Sequence, residues 1–144
     1  MAWLHSFLRG KAAARLAVAG SLAGCVAVLW LAAGVQPDAC GLGTHEQLTH
    51  APCLFLELTG WPCPTCGMTT SFAHMARLHV RQALLAQPFG ALLFVLTAAW
   101  IPAAVYFFAT GKRLRVPPNW ALAGVLLLMI AGWAFKIVSF KNSL

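Results

Sequence analysis

The stretch LAVAGSLAGCVAVLWLAAGV, residues 16–35, contains no charged side chain. As an α-helix rising about 1.5 Å per residue it would be about 30 Å long, which matches the hydrocarbon core of a bilayer. Residues 89–108 and 120–138 are similarly apolar, except for Lys136, whose long side chain we expect to reach toward the membrane surface. The sequence therefore predicts an all-α membrane protein with three transmembrane helices.

The overall composition also indicates a membrane protein. Of the 144 residues, 60% are hydrophobic and only 9% are charged, which is too apolar for a soluble domain. The three acidic residues leave little material for a carboxylate-pair mechanism or a hard-metal site. We expect one membrane domain over residues 1–144. Its expected partners are the lipid bilayer and either another membrane protein or a second copy of the chain, and no nucleic acid.

The basic residues predict the orientation of the spans. They cluster before the first span and between the second and third, at Arg9, Lys11, Arg15, Lys112, Arg113 and Arg115. Such clusters favour the cytoplasmic side. The N-terminus is therefore expected inside, and residues 36–88 and the C-terminus outside.

The outer loop, residues 36–88, holds most of the residues with reactive side chains. Its cysteines and histidines are Cys40, His45, His50, Cys53, Cys63, Cys66, His74 and His79. Pro64 suits the first turn of a helix, so we expect a helix capped by Cys63 that continues to about Leu78. A further turn over residues 80–86 leads into the second span. We expect this loop to lie partly at the membrane interface, with Trp61 as an anchor.

The sequence TGWPCPTCGMT, residues 59–69, resembles the motif of a family of small bacterial membrane proteins, the domain-of-unknown-function family 2752. The resemblance covers Cys53 to about Tyr106. Its motif residues are Thr59, Gly60, Pro62, Cys63, Pro64, Cys66, Gly67 and Thr69. The chain departs from the family pattern at Thr70, where the family has Arg, at Leu78–His79, where Gly-Asp is usual, and at Gln87, where it has Asn. The resemblance implies a bacterial inner-membrane protein and supports the topology, but it assigns no activity.

The first interpretation of the Cys-Pro-x-Cys pair is structural. Disulfides, for instance Cys63 with Cys66 and Cys40 with Cys53, would brace a loop that binds another membrane protein. Four outer cysteines allow three pairings, so the sequence does not determine the connectivity. This is the main prediction, and under it the chain is not an enzyme.

Two alternatives give the pair a chemical role. In thiol–disulfide exchange, Cys63 would be the attacking thiol and Cys66 the resolving one. In a soft-metal site, Cys63 and Cys66 would bind zinc or copper. The missing ligands would come from the upstream loop, with Cys53 first, then His50, and Cys40 as a further choice, or from a second chain. Helical spacing places His74 about 12 Å beyond Cys66, too far to share one ion.

Overall fold

The computed structural model describes residues 2–38, 44, 47, 53–110 and 119–141. The helices of this part are α1 (Ala2–Gly34), α2 (Leu54–Thr59), α3 (Met68–Ala76), α4 (Val80–Ala86), α5 (Pro88–Thr110) and α6 (Asn119–Lys141). No strand occurs within those residues. The prediction of an all-α fold is therefore confirmed.

Three of the helices are long and apolar enough to cross a membrane. The candidate spans are Ala12–Gly34 in α1, Pro88–Thr110 in α5 and Leu122–Lys141 in α6. Each contains most of the corresponding stretch predicted from the sequence. The chain is a multi-pass membrane protein, with the short helices α2, α3 and α4 between its first and second spans. Leu58 and Trp61 are 76% and 47% exposed in that connection, which fits a segment at the membrane surface.

The spans are joined by polar and close contacts. Trp100 of α5 donates a hydrogen bond from Nε1 to Oγ of Ser21 in α1, at 3.3 Å. Gly132 of α6 lies so near the start of α5 that an added Cβ would be 2.8 Å from Cβ of Phe89. A small residue at such a position lets two membrane helices approach closely.

Helix α3 is held against α4 and the beginning of α5. The hydroxyl of Ser71 bonds the carbonyl oxygens of Ala83 and Gln87, each at 3.0 Å. A Cβ added at Gly90 would lie 2.9 Å from Cβ of Ser71, so the two backbones are in close contact. The helix that follows the cysteine motif is therefore fixed in position by buried polar and steric contacts.

Arg77 connects the end of α3 to the end of α1. Its Nη2 donates to the carbonyl oxygen of Ala33 at 3.1 Å, and its Nη1 donates to that of Ala73 at 2.9 Å. The last carbonyls of a helix have no partner within the helix, and a nearby cation also offsets the helix dipole. This contact brings the outer loop over the C-terminal end of the first span.

Candidate three-cysteine site

Two glycines shape the chain around the cysteines. Cys53 is the N-cap residue of α2, and that helix ends at Gly60, whose φ of 71° is left-handed. The chain then forms successive turns, with Cys66 N donating to Cys63 O and Met68 N to Thr65 O, both at 3.0 Å. Gly67, with φ of 85°, is the N-cap of α3. Glycine adopts these backbone conformations without the steric cost of a Cβ.

The expected helix from Pro64 to about Leu78 is wrong at its start. Residues 64–67 form turns, and α3 begins at Met68 because the left-handed Gly67 interrupts the helical backbone. Cys63 is therefore not a helix cap. No helix N-terminus therefore stabilises its thiolate, and any activation comes from neighbouring side chains and from the backbone of the turn.

The folded loop brings three sulfur atoms together. The Sγ atoms of Cys63 and Cys66 lie 2.9 Å apart, and those of Cys66 and Cys53 lie 3.4 Å apart. All three Sγ atoms are within 4.8 Å of one another. Cys66 is 2% exposed, whereas Cys53 and Cys63 are half-buried. These three residues are called the three-cysteine site below.

The structure contains no disulfide among its four described cysteines, which include Cys25 in α1. Two of the sequence-predicted site residues, Cys40 and His50, lie outside the described residues. Within those residues, the group of potential metal ligands at this site consists of the three cysteines. His74 does not belong to this group of ligands. Its ring lies 6.0 Å from the ring of His79.

The two cysteines of the motif differ in acidity. Partial burial acts to raise the pKa of Cys63, but hydrogen bonds with the Cys66 thiol and with Thr65 outweigh it and hold that pKa below its ordinary value. The hydroxyl oxygen of Thr65 lies 3.3 Å from Sγ of Cys63. Burial, followed by hydrogen bonding to Cys63 and Cys53, raises the pKa of Cys66 well above its ordinary value. Cys63 is therefore expected to ionise before Cys66.

One side of the three-cysteine site faces an apolar cavity of about 460 Å³. Besides the cysteines, its lining comes mainly from the end of α1 and the start of α3, and consists of Val28, Leu31, Ala32, Val35, Thr65, Met68, Thr69 and Phe72. Apolar pockets of this size with a few polar groups are typical ligand sites. The cysteines supply the thiols of this lining, and Thr65 and Thr69 supply its hydroxyl groups.

Helix α6 lies near the motif as well. Trp133 donates from Nε1 to the carbonyl oxygen of the buried Pro62 at 2.9 Å. One turn further, Lys136 is only 6% exposed and interacts electrostatically with Cys66. The expectation that Lys136 reaches toward the membrane surface is therefore wrong, because packing of α6 on the motif buries its side chain.

Two of the three positions expected to depart from the family pattern have buried, hydrogen-bonded side chains, whereas Leu78 is exposed. Thr70 is buried, and its hydroxyl lies 2.8 Å from that of Thr44, which accepts a hydrogen bond from the backbone N–H of Asp38 at 2.8 Å. Gln87 is fully buried, and its Nε2 donates to the carbonyl oxygen of Pro64 at 3.3 Å. The side chains of Thr70 and Gln87 are therefore part of the packing around the three-cysteine site.

The remaining motif residues shape the loop or line the cavity. The Thr59 hydroxyl donates to the carbonyl oxygen of Phe55 at 2.6 Å and accepts from the backbone N–H of Trp61 at 3.2 Å, at the end of α2. Pro62 and Pro64 supply the two carbonyls bonded by Trp133 and Gln87. The other three motif positions are the turn glycines and the cavity-lining threonine, Gly60, Gly67 and Thr69.

Residues 53–101 match the family model described as "Protein of unknown function (DUF2752)". The resemblance inferred from the motif is thereby confirmed. The match begins at Cys53, so it includes all three cysteines and the first part of α5, whereas α1 and α6 lie outside it. No curated protein and no solved structure matches the chain significantly.

Proposed function

We propose that Cys53, Cys63 and Cys66 bind a soft metal ion, either zinc or cuprous copper. The observation that supports this most strongly is the third sulfur, which folding brings to within 4.8 Å of the other two. Thiolates are favoured ligands of both ions. A dithiol exchanging a disulfide has no need of a third thiol, so the convergence of all three favours a metal site.

The distances between the sulfurs suit such an ion. Around a tetrahedral zinc with Zn–S bonds of about 2.3 Å, the sulfurs would be separated by about 3.8 Å. The 3.4 Å between the Sγ atoms of Cys53 and Cys66 is close to this, and the 2.9 Å between those of Cys63 and Cys66 requires a small side-chain adjustment. No large movement of the backbone is needed.

The number of ligands distinguishes the two metals. Structural zinc sites are almost always four-coordinate, and the described residues supply three ligands. Zinc would need a fourth, which His50 or a water from the cavity side would supply. Cuprous copper is satisfied by three thiolates. Replacement of His50 by Ala is thus expected to weaken zinc binding if His50 is the fourth ligand, and to leave copper binding unchanged.

The direct test is metal analysis of the detergent-purified protein, kept reduced and loaded separately with Zn²⁺ and Cu⁺. We expect one ion per chain in the wild type and in Cys25→Ser, because Cys25 lies in α1 outside the sulfur group. Each of Cys53→Ser, Cys63→Ser and Cys66→Ser is expected to lose it. If the wild type retains neither ion, the metal-site proposal is refuted.

A second candidate function is thiol–disulfide exchange, which the opposite pKa shifts of Cys63 and Cys66 favour. The Cys63 thiolate would attack a substrate disulfide and release one substrate thiol. Cys66 would then attack the mixed disulfide, forming the Cys63–Cys66 disulfide and releasing the second substrate thiol. An enzymatic role is proposed only on this alternative. Its signature is a mixed disulfide trapped on Cys63 in Cys66→Ser and absent from Cys63→Ser.

We place the site on the outer side of a bacterial inner membrane, with the N-terminus cytoplasmic and residues 36–88 and the C-terminus outside. The contacts of Arg77 with the end of α1 and of Trp133 with Pro62 support one common end for the motif and for the C-terminal turns of both spans. Reporter fusions after residue 45 are expected to read as exported, and fusions after residue 112 as cytoplasmic. The reverse pattern would invert the orientation.

Association with another membrane protein or with a second copy remains a prediction, as does a loop braced by disulfides that involve Cys40. The braced loop applies to the oxidised protein on the outer side of the membrane, where disulfides persist. Non-reducing mass spectrometry of thiol-blocked membranes would identify the pairing. Recovery of Cys53, Cys63 and Cys66 as free thiols would contradict the braced-loop prediction.

A further inference from the structure

We propose that Lys136 is the counter-cation of the three-cysteine site, a positioning residue on the third span whose ammonium group offsets the negative charge of the metal-bound thiolates. This inference rests on the proposed metal function. It assigns a role to a residue outside the family-matched segment, on a different helix from the ligands.

The position of Lys136 follows from the contacts of its helical neighbours. Residues three and four apart lie on one face of a helix, so Lys136 shares a face of α6 with Trp133 and Gly132. That face is turned toward the site, because Trp133 bonds the carbonyl of Pro62 and Gly132 abuts Phe89. Lys136 is 6% exposed, and it interacts electrostatically with Cys66.

The charge of the site requires such a group. Three thiolates carry three negative charges, so a bound Zn²⁺ leaves one uncompensated and a bound Cu⁺ leaves two. A net charge of this kind is costly in a buried environment unless an opposite charge lies nearby. A lysine inside an apolar span is costly for the same reason, and such residues usually pair within the protein. Each charge therefore reduces the cost of the other.

The two arginines of the outer loop do not serve this role: Arg81 is exposed, and Arg77 is engaged elsewhere. The guanidinium of Arg77 donates to carbonyl oxygens of α1 and α3, where it caps helix ends. The cavity beside the sulfurs is lined by apolar and hydroxyl side chains besides the cysteines, and none of its lining residues is charged. Lys136 is a buried cation on the face of α6 that packs against the motif, and the charge of Cys66 acts on it.

The experiment compares Lys136→Met, Lys136→Arg and Lys141→Met in the full-length, detergent-purified protein. Methionine keeps the length of the side chain and removes the charge, whereas arginine keeps the charge. Lys141 is exposed on the same helix and serves as the control. The affinity of each protein for Cu⁺ and Zn²⁺ is measured by competition with a chromophoric chelator, after size-exclusion chromatography has shown that the variant is folded.

We expect Lys136→Met to bind the metal about 10- to 100-fold more weakly, as removal of a group supporting the ligands typically does. Lys136→Arg should bind within a few-fold of the wild type, and Lys141→Met should be unchanged. Equal affinity of Lys136→Met and the wild type would overturn the proposal and leave the metal site intact.

If the wild type binds neither metal, the proposed function fails, and a second measurement then decides the role of Lys136. The rate at which iodoacetamide alkylates the three cysteines is followed by mass spectrometry at a fixed, mildly alkaline pH. A nearby cation favours the thiolate, so Lys136→Met should react several-fold more slowly and Lys136→Arg at the wild-type rate. Equal rates in all three proteins would refute the interaction itself.

Discussion

Replacement of Gly90 by alanine tests whether the close packing of α3 on α5 holds the motif in place. The added Cβ would lie 2.9 Å from Cβ and 3.1 Å from Oγ of Ser71, and 3.3 Å from Cα of Met68. Ser71 is buried and hydrogen-bonded to two carbonyls, so its side chain has no free space into which to move. The contact with Met68 is to the backbone, so relief requires α3 to shift away from α5.

The cost of this shift can be separated from the ordinary effect of the substitution. Overpacking of a buried contact costs about 1–3 kcal/mol. Alanine in a helix is favoured over glycine by about 1 kcal/mol, which partly offsets that loss. Gly124→Ala in α6 provides the matched control, because a Cβ there has no other atom within 4 Å. The free energy of unfolding of Gly90→Ala should therefore be lower than that of Gly124→Ala by about 1–3 kcal/mol.

The assay is unfolding of the detergent-solubilised proteins by titration with sodium dodecyl sulfate, followed by far-UV circular dichroism. Metal affinity is measured on the same samples, since α3 begins at Met68, directly after the motif. We expect Gly90→Ala to be less stable and to bind metal more weakly, and Gly124→Ala to match or exceed the wild type in both. Equal stability of the two variants would show that the close packing at Gly90 does not hold α3.

Three further predictions concern the contacts and acidity of the site. Trp133→Phe removes the hydrogen bond to the motif loop and should lower the free energy of unfolding by about 1 kcal/mol in the same titration. Trp120→Phe, at an exposed position of the same helix, is the control and should leave the free energy of unfolding unchanged. Arg77→Met removes the contacts that cap the helix ends and should lower the free energy of unfolding by about 1 kcal/mol in the same assay. Arg77→Lys keeps the positive charge and should lower it less. In the reduced protein, the pKa of Cys63 is lowered, so its alkylation by iodoacetamide should remain fast at pH values below the ordinary thiol pKa of 9.0. The pKa of Cys66 is raised, so Cys66 should react more slowly than Cys63 at the same pH. Faster alkylation of Cys66 than of Cys63 would contradict the assignment of their acidities.

The three spans could be predicted because the hydrocarbon of a membrane permits few backbone conformations. Backbone polar groups in hydrocarbon must be satisfied within the segment, so long uncharged stretches such as residues 16–35 form helices. The proximity of Cys53 to the motif was also accessible from the sequence, as one of the ligand choices of the soft-metal hypothesis. The structure brings its Sγ atom within 4.8 Å of those of Cys63 and Cys66, and His74 is not part of that group.

The start of α3 and the burial of Lys136 depend on information that the local sequence does not carry. Proline at position 64 suits both the first turn of a helix and a tight turn, and the left-handed Gly67 decides for the turn. A single lysine near the end of a span suits both a side chain reaching the surface and a buried one. The contact of Gly132 with Phe89 decides that case, and it joins segments far apart in the chain.

The three-cysteine site and its surroundings are built from more of the chain than the segment that matches the family model. Residues 53–101 contain all three sulfurs, yet one wall of the cavity comes from α1 and the buried lysine comes from α6. The sulfurs thus border an apolar cavity, and a buried cation lies on the helix that packs against their loop. The cavity is lined on one side by Val28 and Leu31, which lie within the first span and are each 46% exposed. This wall of the cavity therefore borders the apolar region of the membrane. The apolar wall of the cavity and the proposed counter-cation therefore come from different spans, so substitutions in α1 and in α6 are expected to affect the site independently.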